Sequence, residues 1–113
     1  MHQKKAKLRL NPLQLRTLAL LQELAEDPDH GAEGENGTRV VTALPHAHGD
    51  HVHIGRFTVP ARFASGLSNE SVIGALCRRG FLMRDEAGFL VLLPEGLAAE
   101  TGVREHLLAL SDH

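Results

Sequence analysis

The chain is poor in aromatic side chains: it lacks tryptophan and tyrosine and has four phenylalanines among its 113 residues. Proteins that bind single-stranded nucleic acid stack bases on such rings, so this scarcity argues against a stacking platform. The core must be built from Leu, Val, Ile and Ala, in a composition that is 42% hydrophobic and 23% charged. These proportions are typical of globular proteins, and the length favours one domain with one core.

Cysteine and long apolar runs are also scarce. Cys77 is the only cysteine, which excludes a disulfide within the chain and a Cys-based zinc motif and fits a reducing compartment. The apolar run that follows the basic N-terminus is interrupted by Gln14, Arg16 and Gln22. We therefore expect no membrane-spanning segment, no signal peptide and a cytoplasmic protein.

The net charge of −2 conceals blocks of opposite sign. Residues 1–16 carry only basic charged side chains, and residues 23–35 carry only acidic ones. Residues 39–84 have six arginines against two acids, whereas residues 85–113 have six acids against one arginine. Binding to nucleic acid depends mainly on cations that face phosphates. The pattern permits such binding in the first and third blocks without requiring it.

A flexible basic arm is predicted over residues 1–10 and a single domain over residues 11–113. The domain should begin with a helix over residues 11–27, because Asn11 is a good N-cap and Pro12 suits the first helical position. Apolar side chains occupy more than one side of this helix. Such a helix is either central in its own domain or paired with a partner, so a homodimer through residues 11–27 is one of two predictions left open.

The segment after this helix should be irregular and then extended. Residues 27–38 are rich in glycine and acids and predict an acidic surface loop. Residues 40–44 and 51–59 have strand patterns, and we expect these two segments to pair with each other.

The stretch 61–100 predicts a short helix, a tight turn, a second helix, a β-hairpin and a closing helix. The pieces are a helix start at 60–65, a turn at 66–68, a helix over 69–79, strands over 81–84 and 89–93, and a helix from Pro94. Ser68 is expected to cap the second helix and Gly80 to end it. The turn between the strands falls at residues 85–88.

This order resembles the winged helix-turn-helix superfamily, in the style of its MarR, PadR and ArsR groups. The resemblance is carried by Gly66-Leu67-Ser68, by residues 76–82 and by Leu93-Pro94-Glu95-Gly96. The last of these is similar to the Leu-Thr-Pro-Glu-Gly step that follows the wing in many such regulators. The resemblance implies an α+β fold with three to four helices, a small antiparallel sheet and a β-hairpin wing. It also implies a DNA-binding transcriptional regulator and not an enzyme.

In that family the helix after the turn lies in the major groove of double-stranded DNA. The contacts implied here come from Asn69, Ser71, Arg78 and Arg79 on the helix and from Lys4, Lys5 and Lys7 in the arm. Asn pairs with adenine edges, and Arg pairs with guanine edges or phosphates. The alternative role for the two arginines is to compensate the helix dipole at its C-terminal end.

Three features depart from the family pattern. The second helix is short, Asp85 and Glu86 at the wing tip would repel phosphate, and Glu70 stands where a phosphate contact is common. These departures favour two alternatives. One is a winged-helix protein–protein interaction module that does not bind DNA, and the other is DNA binding through the helix residues and the basic arm only.

Four histidines lie within residues 46–53. They are His46, His48, His51 and His53. Taken alone, their spacing around Asp50 resembles the zinc motif of the metallo-β-lactamase superfamily, but that fold needs a longer chain and further ligands downstream. If Gly49-Asp50 forms a turn, a hairpin would gather the imidazoles around zinc or another divalent metal. A metal-responsive regulator and a polar, exposed strand-turn-strand without a cofactor are two interpretations, and a response to pH is the third.

Overall fold

A computed structural model describes residues 8–111 of the chain, with side chains described up to residue 109. Within this range the protein is mixed α+β, with helices packed against antiparallel sheets. Its elements are α1 (Pro12–Glu26), β1 (Gly31–Glu33), β2 (Arg39–Val41), β3 (Ala47–His48), β4 (His51–Ile54), β5 (Phe57–Pro60), a 3₁₀ helix (Ala61–Ser68), α2 (Glu70–Arg78), β6 (Leu82–Arg84), β7 (Leu90–Leu92), α3 (Pro94–Ala98) and α4 (Arg104–Ser111).

Helix α1 is the centre of the core. Asn11 caps it as predicted: its side chain accepts from the Gln14 backbone N–H at 2.8 Å, and the Gln14 side chain accepts from the Asn11 backbone N–H at 3.0 Å. Every residue from Thr17 to Ala25 is buried. The chain itself covers the second apolar side of the helix, so the prediction of a homodimer through residues 11–27 lacks the exposed face that it required.

A four-stranded antiparallel sheet, in the order β1-β2-β7-β6, packs against α1. Val41 lies opposite Leu90, and Leu82 lies opposite Leu92, so these four side chains share one face. All four are buried in the core. Alternation along the strands places Val40, Val91 and Met83 on the other face.

The predicted acidic loop over residues 27–38 is partly a hairpin. Strand β1 folds back on β2, with Ala32 opposite Val40. The turn between them has positive φ at Asn36 (55°) and Gly37 (80°), a conformation that Asn and Gly adopt most readily. The strand pattern was hidden because the composition of this segment is dominated by glycine and acids.

The predicted pairing of residues 40–44 with residues 51–59 is wrong. The first segment forms β2 and pairs with β1 and β7. The second is two strands, β4 and β5, joined by a turn at Gly55-Arg56, and with β3 they form a separate three-stranded sheet. Gly55 has φ 55°, which supplies the positive φ of a tight hairpin and makes local pairing available.

The 3₁₀ helix extends through residues 66–68, where the sequence predicted a turn. Helix α2 follows within one residue of its predicted start, but Asn69 and not Ser68 is its N-cap. The Asn69 side chain accepts from the backbone N–H groups of Ser71 at 3.0 Å and Val72 at 3.3 Å. Gly80, with φ 81°, ends the helix as predicted.

The correction of the cap is testable by a pair of substitutions. Asn69→Ala should lower the free energy of unfolding by about 1 kcal/mol, because it removes the oxygen that satisfies two helix N–H groups. Ser68→Ala, the matched control at the neighbouring position, should have a smaller effect. Urea unfolding followed by circular dichroism measures both, and a larger loss for Ser68→Ala would contradict the assignment of the cap.

The hairpin of β6 and β7 is confirmed, with its turn at residues 85–88. The Asp85 side chain holds this turn by accepting from the backbone N–H groups of Ala87 and Phe89, both at 2.9 Å. Helix α3 begins at Pro94 as predicted, and α4 follows Gly102, which has φ 77°.

A buried carboxylate joins α1 to the second sheet and to α4. Glu23 accepts from the Arg56 backbone N–H at 2.9 Å and from its guanidinium at 3.1 and 3.2 Å. Arg104 on α4 donates to the same carboxylate at 2.8 Å. The Glu23 side chain is only 7% exposed, and a buried charge is tolerated when it is paired and hydrogen-bonded in this way.

The neighbouring Gln22 extends this network to the C-terminal part of the chain. Its side-chain amide donates to the backbone carbonyls of Gly96 and Ala99, both at 2.8 Å, and its oxygen accepts from Arg104 at 3.2 Å. Leu107 on α4 is fully buried. Two adjacent polar residues of α1 therefore help to fix α3 and α4 on the core.

Candidate nucleic-acid interface

Helix α2 presents a small, polar surface to solvent. Ser71, Gly74, Ala75 and Arg78 follow the spacing of one helix face, opposite the buried Val72, Ile73 and Leu76. Ser71 and Arg78 are exposed, and neither side chain has a hydrogen-bond or ion-pair partner among residues 8–111. The face thus offers a hydroxyl and a guanidinium on either side of two residues that let another surface approach closely.

Arg79, also predicted to contact DNA, has hydrogen-bond partners within the chain. Its guanidinium donates to the backbone carbonyls of Leu8 at 2.7 Å and Arg9 at 3.2 Å. It therefore tethers the N-terminal segment to the C-terminal end of α2. No signal in the sequence indicated this contact, because the partners are about 70 positions apart.

The predicted contacts from the arm, Lys4, Lys5 and Lys7, lie outside the described residues. The described chain begins at Leu8, which is partly buried against the core.

Glu70 does not carry a free charge on this surface. Both of its oxygens accept from the Arg84 guanidinium, at 3.0 and 2.9 Å, and Arg84 also donates to the Gly88 carbonyl at 3.0 Å. This ion pair, in which one guanidinium nitrogen contacts both carboxylate oxygens, joins the first turn of α2 to the hairpin. Both side chains are exposed, so the pair contributes little to stability but offsets the repulsion that Glu70 would exert on a phosphate.

A second group of cations surrounds the ring of Phe63, with one arginine from α1 and one from the 3₁₀ helix. The guanidinium carbons of Arg16 and Arg62 lie 4.8 and 5.2 Å from the centroid of the Phe63 ring. The negative face of an aromatic ring attracts such cations. This arrangement brings two positive charges together around one ring, which the charge blocks of the sequence indicated only in general terms.

The histidine segment forms the hairpin on which the metal prediction depended. Gly49-Asp50 is the turn, and His48 lies directly opposite His51. The His48 and His53 rings are 6.0 Å apart at their centroids. His51 Nδ1 contacts Asp50 at 2.6 Å, and His53 Nδ1 contacts the Thr58 hydroxyl at 3.1 Å.

The hairpin forms, but the prediction of metal binding is not tested by it. His46 precedes β3, and all four histidines of the segment are exposed. In the part of the chain that the structure describes, no three or more His, Cys, Asp or Glu side chains are placed to hold a metal ion together. Metal binding through His46, His48, His51 and His53 stays a prediction.

Two further findings concern membrane-spanning helices and similarity to known proteins. Across residues 8–111, no helix combines the length and the apolar character needed to cross a bilayer. Comparisons of the chain with protein families, curated proteins and solved structures found no match.

Proposed function

We propose that this chain is a winged helix-turn-helix domain that binds double-stranded DNA through α2. The proposal is supported by the order of the elements when β1 and the three-stranded sheet of β3, β4 and β5 are treated as insertions: α1, β2, the 3₁₀ helix, α2, then the hairpin of β6 and β7. The strand order β2-β7-β6 supports it further, since it joins the segment before the two helices to the wing. In such domains the second helix of the pair enters the major groove.

The observation that carries the proposal is the exposed face of α2. Gly74 and Ala75 allow the helix to approach the bases, Ser71 offers a hydroxyl, and Arg78 offers a cation to a phosphate or a guanine edge. Asn69 uses its oxygen as the helix cap, which leaves its amide group as the donor to DNA. Arg79 acts as the tether and not as a contact.

The arm adds affinity without specificity. Arg79 holds residues 8–9 beside the end of α2, and Lys4, Lys5 and Lys7 precede these residues in the sequence. Each lysine that neutralises a phosphate releases a counterion, which strengthens binding at low salt. The role of the domain is then that of a transcriptional regulator.

Fluorescence anisotropy with a mixed-sequence duplex of about 20 base pairs tests this function, since the site size is roughly two helical turns. We expect a dissociation constant of roughly 1–100 µM that weakens steeply with salt. Arg78→Ala should weaken binding and reduce the slope of log K against log salt by about one, whereas Arg78→Lys should retain the slope. An unchanged affinity and slope for Arg78→Ala would contradict the assigned contact.

A protein-interaction module is the second candidate, favoured by the acidic wing turn. Asp85 and Glu86 would meet phosphates if the wing lay in the minor groove, and like charges in contact disfavour that geometry. A chain that binds no duplex at low salt, but binds a peptide on the outer face of its four-stranded sheet, would be such a module.

A further inference from the structure

A groove with an apolar floor crosses the outer face of the four-stranded sheet. It has a volume of 860 Å³. Its floor is a row of directly paired residues, Val40 on β2, Val91 on β7 and Met83 on β6. Met83 is 45% exposed, although the alternation of the strand would allow a polar side chain there. The flexible side chain of a methionine suits a binding surface.

The two ends of the groove are acidic. The turn between β1 and β2 contributes Glu35, and the turn between β6 and β7 contributes Asp85 and Glu86. Among the described residues that line it, none is a lysine or an arginine. The electrostatic potential of the groove is therefore negative at both ends of an apolar centre.

We propose that this groove binds an extended segment of another protein, with apolar residues at its centre and Lys or Arg on both sides. The floor would bury the apolar side chains, which is the main favourable term in such recognition. The acidic ends select the sign of the flanking charges and so provide specificity. The same ends disfavour a phosphate-rich partner such as nucleic acid or an anionic membrane.

This inference does not depend on the proposed DNA binding. None of the lining residues belongs to α2 or to residues 8–11, so both surfaces are available in one molecule. Phe89, which is 42% exposed on the same hairpin, is a matched reference. It lines a separate crevice together with the paired Glu70 and Arg84, and that crevice has no acidic excess.

Three fluorescent heptapeptides test the proposal by anisotropy titration against the full chain. The first has Leu-Val-Leu between pairs of lysine, the second has Leu-Val-Leu between pairs of glutamate, and the third has Ser-Thr-Ser between pairs of lysine. We expect the first to bind with a dissociation constant below about 1 mM and at least about tenfold more tightly than the others. Met83→Ser should abolish this binding, and Phe89→Ser should leave it unchanged.

A second variant separates the charge argument from any effect on folding. Glu35→Gln combined with Glu86→Gln should remove the preference for lysine over glutamate while weak binding of the apolar centre remains. Equal binding of the first two peptides to the native chain would overturn the proposal, as would loss of binding in both Met83→Ser and Phe89→Ser. Absence of saturable binding up to roughly 1 mM, or dimerisation that Met83→Ser abolishes, would also overturn it.

Discussion

Glu23→Gln should lower the free energy of unfolding at neutral pH by about 3 kcal/mol, which is a large part of the stability of a domain of this size. The substitution removes the charge that Arg56 and Arg104 both contact, and leaves their guanidinium groups without a counterion at the edge of the core. We place the effect at the low end for buried ion pairs because Arg56 is 61% exposed and remains hydrated. The expected fall in Tm is roughly 10–20 °C.

The same carboxylate should make stability depend on acid pH. Burial acts to raise the pKa of Glu23, but hydrogen bonds from Arg56 and the charges of Arg56 and Arg104 outweigh it, so the pKa lies below its ordinary value of 4.5. A carboxyl group with a lowered folded pKa binds fewer protons in the folded chain than in the unfolded chain. Its contribution to stability is therefore complete above the unfolded pKa and is lost as the pH falls through the folded pKa.

Urea unfolding from pH 7 down to pH 3 measures both effects. The difference between the native chain and Glu23→Gln should be largest at neutral pH and should narrow as the solution becomes acidic. Glu26→Gln is the matched control, because Glu26 is exposed on the same helix and should change stability by less than about 0.5 kcal/mol. A difference between native chain and Glu23→Gln that stays constant with pH would contradict the ion-pair account.

Gly96→Ala should also destabilise the fold, by about 2–3 kcal/mol. Gly96 is buried in α3, where a Cβ would overlap the carbonyl oxygen of Phe81 and lie 2.9 Å from its carbonyl carbon. Backbone cannot move aside as a flexible side chain can, so α3 would have to separate from the start of the hairpin. The hydrogen bond from Gln22 to the Gly96 carbonyl would be strained by the same movement.

Gly74→Ala is the matched control, since it adds the same methyl group to a helix. A Cβ at Gly74 would meet only the flexible end of Arg78, at 3.4 Å, and alanine favours the helix by roughly 0.5–1 kcal/mol. The two substitutions should therefore change the urea midpoint in opposite directions. Equal effects of the two substitutions, or a neutral Gly96→Ala, would show that α3 does not pack closely on Phe81.

The features that the sequence predicted correctly depend on neighbours within one turn. Asn11-Pro12 begins α1, Gly80 ends α2, and the turn at residues 85–88 joins β6 to β7. Each signal is contained in a few consecutive residues, because caps and tight turns satisfy nearby backbone groups.

The features that the sequence did not predict depend on distant or ambiguous partners. The pairing of β2 with β7 joins residues about 50 positions apart, and local composition cannot select such a partner. Ser68 and Asn69 are both good N-caps, so the cap of α2 was misplaced by one residue. The tether from Arg79 to Leu8 and Arg9 could not be predicted, because only the folded chain brings these groups together.

The sequence did not indicate whether the surface around α2 is positive or negative. The structure shows which of its charged side chains have partners within the chain and which remain exposed. Arg84 neutralises Glu70, Arg79 is engaged with the backbone, and Arg78 remains exposed on the face of α2. The acids of the turn between β6 and β7 border the groove instead. The two surfaces therefore differ in charge, and we propose partners of opposite chemistry for them, DNA for α2 and a basic peptide for the sheet.

The central claim, that α2 binds duplex DNA, is tested most directly by mapping amide chemical-shift changes of the ¹⁵N-labelled chain on addition of a mixed-sequence duplex at low salt. The account predicts the largest changes at Ser71, Gly74, Ala75 and Arg78, with smaller ones at residues 8–10 and none at Val40, Met83 and Val91. Changes confined to the groove, or no changes at duplex concentrations above about 100 µM, would contradict it.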